Sequence, residues 1–238
     1  MVENSNILLP PGGQRILVVM AHPDDAEFLC GGTIARLTAQ GCEVSYLLAT
    51  RGQRGSDDPA MTPERLAVIR EAEQRRAAEV LGVRQVLFLD YVDGDVEPSL
   101  QMRREIARLV RLLKPDVVFT FDPWQRYQVH PDHRAVGLCT LDALAASRNL
   151  MYYPEQFAET GGPHRVRQIY FFASDQPNHW VDISAVIDRK VEALLCHASQ
   201  MRGRDAQAIR ELVLQRGRPL GSEHGFTCAE AFHHLVMN

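Results

Sequence analysis

Short apolar runs rich in β-branched residues alternate with longer amphipathic stretches along most of this chain. No other feature restricts its fold as much. Residues 15–20, 44–49, 86–89, 117–121 and 169–173 read as buried strands. Between them, residues 27–40, 63–81, 100–113 and about 132–146 carry helical periodicity. Gly41 and Gly82 stand where helix C-termini favour a left-handed residue, and Pro63 stands where a first helical turn accepts proline. Strand–helix alternation of this kind predicts a parallel sheet covered by helices on both faces, a Rossmann-like α/β fold. The chain shows no repeat and no low-complexity linker, so residues 1–238 read as a single domain. The C-terminal third reads as mostly helical, over 183–200 and 206–214, and residues 151–165 as an irregular loop near the functional site.

Composition narrows the function classes. A net charge of −4 gives no electrostatic reason to expect nucleic acid or an anionic membrane as a partner. Residues 1–14 carry no signal-peptide pattern, and no run approaches the length of a membrane span, so a cytoplasmic protein is expected. Five cysteines lie far apart without a C-x-x-C pair and read as small buried hydrophobes rather than disulfides or ligands.

The first strand runs directly into Ala21-His22-Pro23-Asp24-Asp25, and His130-Pro131-Asp132-His133 follows the fourth by a short loop. In the doubly wound order 3-2-1-4-5, strands 1 and 4 are neighbours, and the crevice at their carboxyl ends is where ligands bind. The topology therefore carries both motifs to one place. A catalytic metal wants three nitrogen or oxygen donors from the protein and an open position for water. His22, Asp25 and His133 can supply that set, leaving Asp24 and His130 beside the ion as proton-transfer partners, a hydrolase design. Asp132 suits the orientation of an imidazole, since a metal-binding or proton-shuttling histidine is usually held by a carboxylate. Plainer readings exist for each motif alone: an aspartate before a helix caps it, and His-Pro-Asp-His can be a helix entry. They do not account for the pair. Nicotinamide dinucleotide binding is not expected, because the first loop lacks G-x-G-x-x-G and sets two aspartates where pyrophosphate would need bare N–H groups. Gly31-Gly32 come too late for that role and suit close helix packing. The remaining histidines, at 164, 179, 197, 224, 233 and 234, form no second ligand set.

These motifs resemble those of the zinc-dependent N-acetylglucosaminyl deacetylase family, called LmbE-like or PIG-L-like. Ala21 to Asp25 and His130 to His133 match its two motifs in full. Glu27, Gly31-Gly32, Thr50-Arg51-Gly52, and the pattern of Arg70, Glu73 and Leu81-Gly82 add support. The resemblance implies that His22, Asp25 and His133 bind zinc, with ferrous iron as the alternative ion. It implies that Asp24 is the general base, and that His130 stabilises the oxyanion and protonates the leaving amine. Arg70 and Asp93 match positions that hold polar groups of the substrate. Gln53, where many relatives carry glutamate, and the following Arg54 depart from the family pattern and alter the rim of the pocket.

The resulting expectation is a metal-dependent hydrolase that takes the acetyl group from an N-acetylated amino sugar or glycoconjugate, giving acetate and a free amine. Its partner is that substrate, and a homo-oligomer is compatible with the sequence. An amidase of larger thiol conjugates is the near alternative. A non-haem iron oxygenase shares the two-histidine, one-carboxylate set. A non-catalytic sugar-binding protein would have shed Asp24 or His130, and both are present.

Overall fold

The computed structural model describes residues 12–237; the expectation about a leader falls, up to residue 11, outside the described residues. Five parallel strands form the centre: β1 (Arg15–Met20), β2 (Glu43–Thr50), β3 (Gln85–Tyr91), β4 (Val117–Phe121) and β5 (Gln168–Phe172), in the order 3-2-1-4-5. They are connected by α1 (Asp25–Ala39), α2 (Pro63–Leu81), α3 (Leu100–Leu113) and α4 (Pro131–Ser147). Helices α3 and α4 pack together, while α1 and α2 pack with α6 (Ile187–Leu195), as right-handed crossovers that change face at β1 require. Strands β1 and β4 are buried on both sides, which is why they read as continuous apolar runs rather than alternating ones. The helix signals act as the sequence implies. Thr62 Oγ1 accepts the N–H of Arg65 ahead of Pro63, and Gly82 closes α2 in the left-handed region at φ 77°.

The C-terminal third carries the helices expected within 183–200 and over 206–214, and two strands besides. After α5 (Phe157–Thr160) come β6 (His179–Asp182), α6, α7 (Ala198–Met201), α8 (Ala206–Ser222) and β7 (Ala229–Val236). Strand β7 lies antiparallel against β5, and β6 antiparallel against β7, extending the sheet to seven strands. Strand β6 has four residues, and β7 mixes Phe232, Leu235 and Val236 with two alanines, a glutamate and two histidines, so neither carries a clear periodic signal of its own. Pairing with an existing sheet edge decides their conformation.

Residues 151–165 also lie elsewhere than expected. They pack around the fully buried Arg111 near the end of α3, whose guanidinium donates to the carbonyls of Ala146, Ser147, Asn149, Tyr152 and Tyr153 and to Gln156 Oε1. Because α3 ends where β4 begins, this loop sits at the amino ends of the strands, opposite the ligand-binding end. Among the described residues the five cysteines form no disulfide, and four of them are buried.

Gly32 serves close packing: a Cβ there would meet the Ile183 side chain at 2.7 Å. At the same turn of α1 a buried ion pair is inserted. Glu230 from β7 accepts the N–H groups of Gly32 and Thr33 at 2.9 and 2.7 Å, and Lys190 Nζ donates to the Phe28 carbonyl at 2.9 Å and to Glu230 at 2.6 Å. Every charge in the pair is thus hydrogen-bonded. Removing one partner of such a pair typically costs about 3–5 kcal/mol.

His179 gives the fold a measurable pH dependence. It is buried on β6, edge-on to Tyr170 with ring centroids 5.1 Å apart, and its Nε2 has no hydrogen-bond partner among the described residues. Burial, helped by nearby His234, pushes its pKa down from 6.5 to about 4. The unfolded chain therefore takes up a proton at this residue over a pH range in which the folded chain does not. Its contribution is fully present above pH 6.5 and is lost as pH falls through about 4. The full loss is at most about 3 kcal/mol. His179→Phe should keep the ring packing while reducing the drop in urea midpoint between neutral pH and roughly pH 4.5. Identical drops in parent and variant would exclude His179 as the source.

Candidate active site

The two motifs meet at the carboxyl ends of β1 and β4. His22 follows β1 directly, and Asp25 opens α1. His130 and His133 lie at the entry to α4, and Asp93 comes from the loop after β3. The three rings form one cluster. His22 stands 4.5 Å from His130 and 5.3 Å from His133 between centroids, and His130 stacks on His133 at 4.7 Å. Phe121, the last residue of β4, stacks on the other side of His133 at 4.0 Å and fixes that ring.

Asp25 lies beneath the cluster. Its Oδ2 accepts the backbone N–H groups of Ala21 and His22 at 3.1 and 2.7 Å, while Oδ1 faces His133 Nε2 at 3.3 Å. Burial alone would raise its pKa. The His133 and His22 imidazoles outweigh burial and hold Asp25 far below the usual carboxylate range. His22 is braced from the other side, its Nε2 standing 2.9 Å from Asp132 Oδ2 and 3.1 Å from Asp93 Oδ1. Burial pulls this imidazole down, yet the carboxylates of Asp132, Asp25 and Asp93 together hold its pKa well above 6.5.

Among the described residues two donor groups could hold an ion: His22 with His130 and His133, and His22 with Asp93, His130 and Asp132. Asp25 belongs to neither group but lies beside the first, with 3.6 Å from its Oδ2 to His22 Nδ1 and 3.3 Å from its Oδ1 to His133 Nε2. Imidazole nitrogens and carboxylate oxygens are the donors a zinc ion takes, so the chemistry of these side chains suits such an ion. The second group is already engaged. Asp132 is fully buried and also accepts the N–H groups of Gly94 and Val96 at 2.7 and 3.3 Å. Asp93 accepts the N–H of Arg54 at 3.0 Å. Burial raises the Asp93 pKa, but His22, the Arg54 N–H and Arg70 bring it down to about 2.

The remaining candidates surround this centre. Asp24 is not the cap of α1 that its position suggests. Its backbone is left-handed at φ 86°, and its side chain makes no capping bond. The Asp24 carboxylate is only slightly exposed, and burial lifts its pKa to about 6 against the pull of Arg70. His130 is partly exposed, and its buried Nδ1 has no hydrogen-bond partner among the described residues. Burial, then the His22 and His133 rings, hold its pKa below 6.5. Arg70 is buried beside Asp24. Its guanidinium donates to the carbonyls of Gly52 and Pro23 at 2.9 and 2.6 Å and to Asp24 Oδ2 at 3.3 Å. Gly52 has φ 62°, and a Cβ there would meet Arg70 Nη1 at 2.3 Å, so only glycine lets the loop close over the guanidinium. Arg54 turns outward and forms a bidentate pair with Asp95. Gln53 donates to the Tyr91 carbonyl.

Sequence reasoning gave no role to His197 or Gln74, yet both are fully buried behind Asp24. His197 Nε2 contacts Glu27 Oε2 at 3.2 Å, and Gln74 bridges Glu27 to the Asp24 N–H. The signal that could have found them is the glutamate after the first motif, a charge at a core position that must have a buried partner.

A family model described as PIG-L, GlcNAc-PI de-N-acetylase, matches residues 17–144, a span that contains both motifs. The chain belongs to this family. Among curated relatives, a diacetylchitobiose deacetylase from Thermococcus kodakarensis is 35% identical, over 79% of this chain and 70% of its own length. A probable N-acetyl-α-D-glucosaminyl L-malate deacetylase 2 from Bacillus anthracis is 31% identical, over 83% of this chain and 86% of its own. Among solved structures, the N,N′-diacetylchitobiose deacetylase of Pyrococcus horikoshii, in complex with its inhibitor, superposes with a TM-score of 0.89. That match is 28% identical and covers 94% of this chain and 84% of the other. In this PIG-L family member, among the described residues, no helix is long and apolar enough to cross a membrane.

The burial of Asp132 makes its contribution testable. Asp132→Asn leaves the size unchanged but sets an amide against three donors: His22 Nε2, Gly94 N–H and Val96 N–H. It should lower stability by about 2–4 kcal/mol and weaken divalent-ion binding by roughly 10–100-fold. Competition with a chelator reads the second effect. Ion affinity equal to the parent's would show that His22 does not depend on Asp132.

Proposed function

We propose that this protein is a metal-dependent hydrolase that removes the acetyl group from an N-acetylglucosamine-type sugar or glycoconjugate, releasing acetate and a free amine. In this reading His22, Asp25 and His133 hold one zinc ion, Asp24 is the general base, and His130 serves the oxyanion and the leaving amine. The observation that carries it is the convergence of that donor set with a buried, uncapped carboxylate and a partly exposed imidazole on either side. The relatives' names supply the substrate class, with a diacetylchitobiose deacetylase and a sugar–malate deacetylase among them. We further read residues 1–238 as one cytoplasmic domain.

A bound divalent ion polarises the amide carbonyl and acidifies a bound water. The rest of the chemistry falls to the chain's own side chains. Asp24 accepts a proton from the attacking water; its burial, opposed by Arg70, leaves it a better base than an exposed aspartate. His130 sits across the cluster from Asp24's helix. In its protonated form it donates to the developing oxyanion and then to the departing nitrogen. Asp132 and Asp93 orient His22 through Nε2, so that its Nδ1 faces Asp25. Phe121 closes one side of His133 and limits water there.

Two expected results test this reading. The purified protein should carry about one divalent ion per chain, and His22→Ala, Asp25→Ala and His133→Ala should each lose most of it, by elemental analysis. Full occupancy in all three variants would overturn the ligand set. Asp24→Asn should keep the ion while kcat falls by roughly 100-fold or more, about 2.7 kcal/mol of barrier, in acetate release from a panel of N-acetylated sugars and thiol conjugates. A near-normal kcat in Asp24→Asn removes the base assignment. Turnover of thiol conjugates alone would favour the amidase alternative.

A further inference from the structure

The peptide unit between Pro23 and Asp24 is held at both of its polar ends. Arg70 Nη2 donates to the Pro23 carbonyl at 2.6 Å, and the Asp24 N–H donates to Gln74 Oε1 at 3.0 Å. Both side chains stand on α2, one turn apart, and so face the same stretch of chain. Fixing the carbonyl and the N–H of one peptide fixes its plane, and with it the rotation that leaves Asp24 at φ 86°. A non-glycine residue in that region costs roughly 1–2 kcal/mol and persists only where its surroundings hold it there.

Gln74 is itself oriented. Its Nε2 donates to Glu27 Oε1 at 3.0 Å, so the amide oxygen must face Asp24. The other oxygen of Glu27 meets His197 Nε2 at 3.2 Å. Glu27, Gln74 and His197 are fully buried, and water cannot take the place of any of them. The line runs from the turn between α6 and α7, through α1, to α2 and then to the residue before α1.

We propose that Gln74, oriented by Glu27 and His197, acts with Arg70 as a clamp that holds Asp24 in its left-handed conformation and directs its carboxylate into the active site instead of onto the end of α1. These are positioning residues. The clamp rests on the reading of Asp24 as the base, but its geometry is independent of the substrate.

The test is amide hydrogen exchange on the full chain, read as the ratio of the Asp24 rate to that of Val18 in β1, which reports global opening. In Gln74→Leu this ratio should rise at least tenfold. Gln74→Asn, one methylene short, should also raise it and serves if Gln74→Leu does not fold. His197→Gln keeps an N–H for Glu27 and should hold the ratio near the parent's, whereas His197→Leu should raise it several-fold. With N,N′-diacetylchitobiose as the probe, Gln74→Leu should lower kcat at least tenfold with KM within twofold and metal content unchanged. A ratio unmoved by either Gln74 substitution overturns the clamp, as does a change confined to KM. Equal ratios in the two His197 variants remove His197 from it. A parent that releases no acetate from the probe counts against the substrate reading alone, and the exchange ratio then decides the clamp.

Discussion

The hydrogen bond from His22 Nε2 to Asp132 Oδ2 joins two parts of the chain 110 residues apart and ties the two motifs of the centre together. It closes only because β1 and β4 are neighbours, which in turn requires the crossover connections to change face at β1. Asp132 also receives Gly94 and Val96, so one buried carboxylate gathers the loops that follow three different strands. An imidazole gripped in this way has a single orientation open to it, and the arrangement of every other donor follows.

The electrostatics of the centre come from burial more than from count. Asp24, Asp25, Asp93 and Asp132 share a small volume with three imidazoles and Arg70. Such carboxylates stay ionised away from water only if each meets positive charge or N–H donors. Asp25, Asp93 and Asp132 meet both and are held low, whereas Asp24 has the Arg70 guanidinium but, among the described residues, no backbone N–H donor to its carboxylate, and is lifted toward neutrality. Neighbouring aspartates of one tripeptide thus acquire opposite tendencies from a difference in backbone conformation.

Much of this could be read from residue order. The parallel strands, their 3-2-1-4-5 order and the meeting of the two motifs follow from hydrophobic periodicity and from the known habit of open α/β sheets. The helix limits set by Pro63 and Gly82 were equally plain. What escaped depended on contacts distant in sequence. Strands β6 and β7 take their form from the edge of β5, without a clear periodic signal of their own. Arg70 is buried beside Asp24 because Gly52 leaves room for the loop to cover it. His197 carries no local pattern, and only the carboxylate of Glu27 explains its burial. Residues 151–165 read as a loop, but nothing local revealed that Arg111 would draw them to the far end of the sheet.

The ion pair set into α1 bears on how the chain is made. The Glu230 carboxylate that receives the Gly32 N–H arrives 198 residues after it. Until that residue has left the ribosome, one turn of the first helix lacks its polar partner and the apolar edge of β5 lies uncovered. Sequence-distant closure of this kind is slow and exposes strand edges meanwhile. The two halves of the site are thus translated well before the strand that completes the sheet beside them.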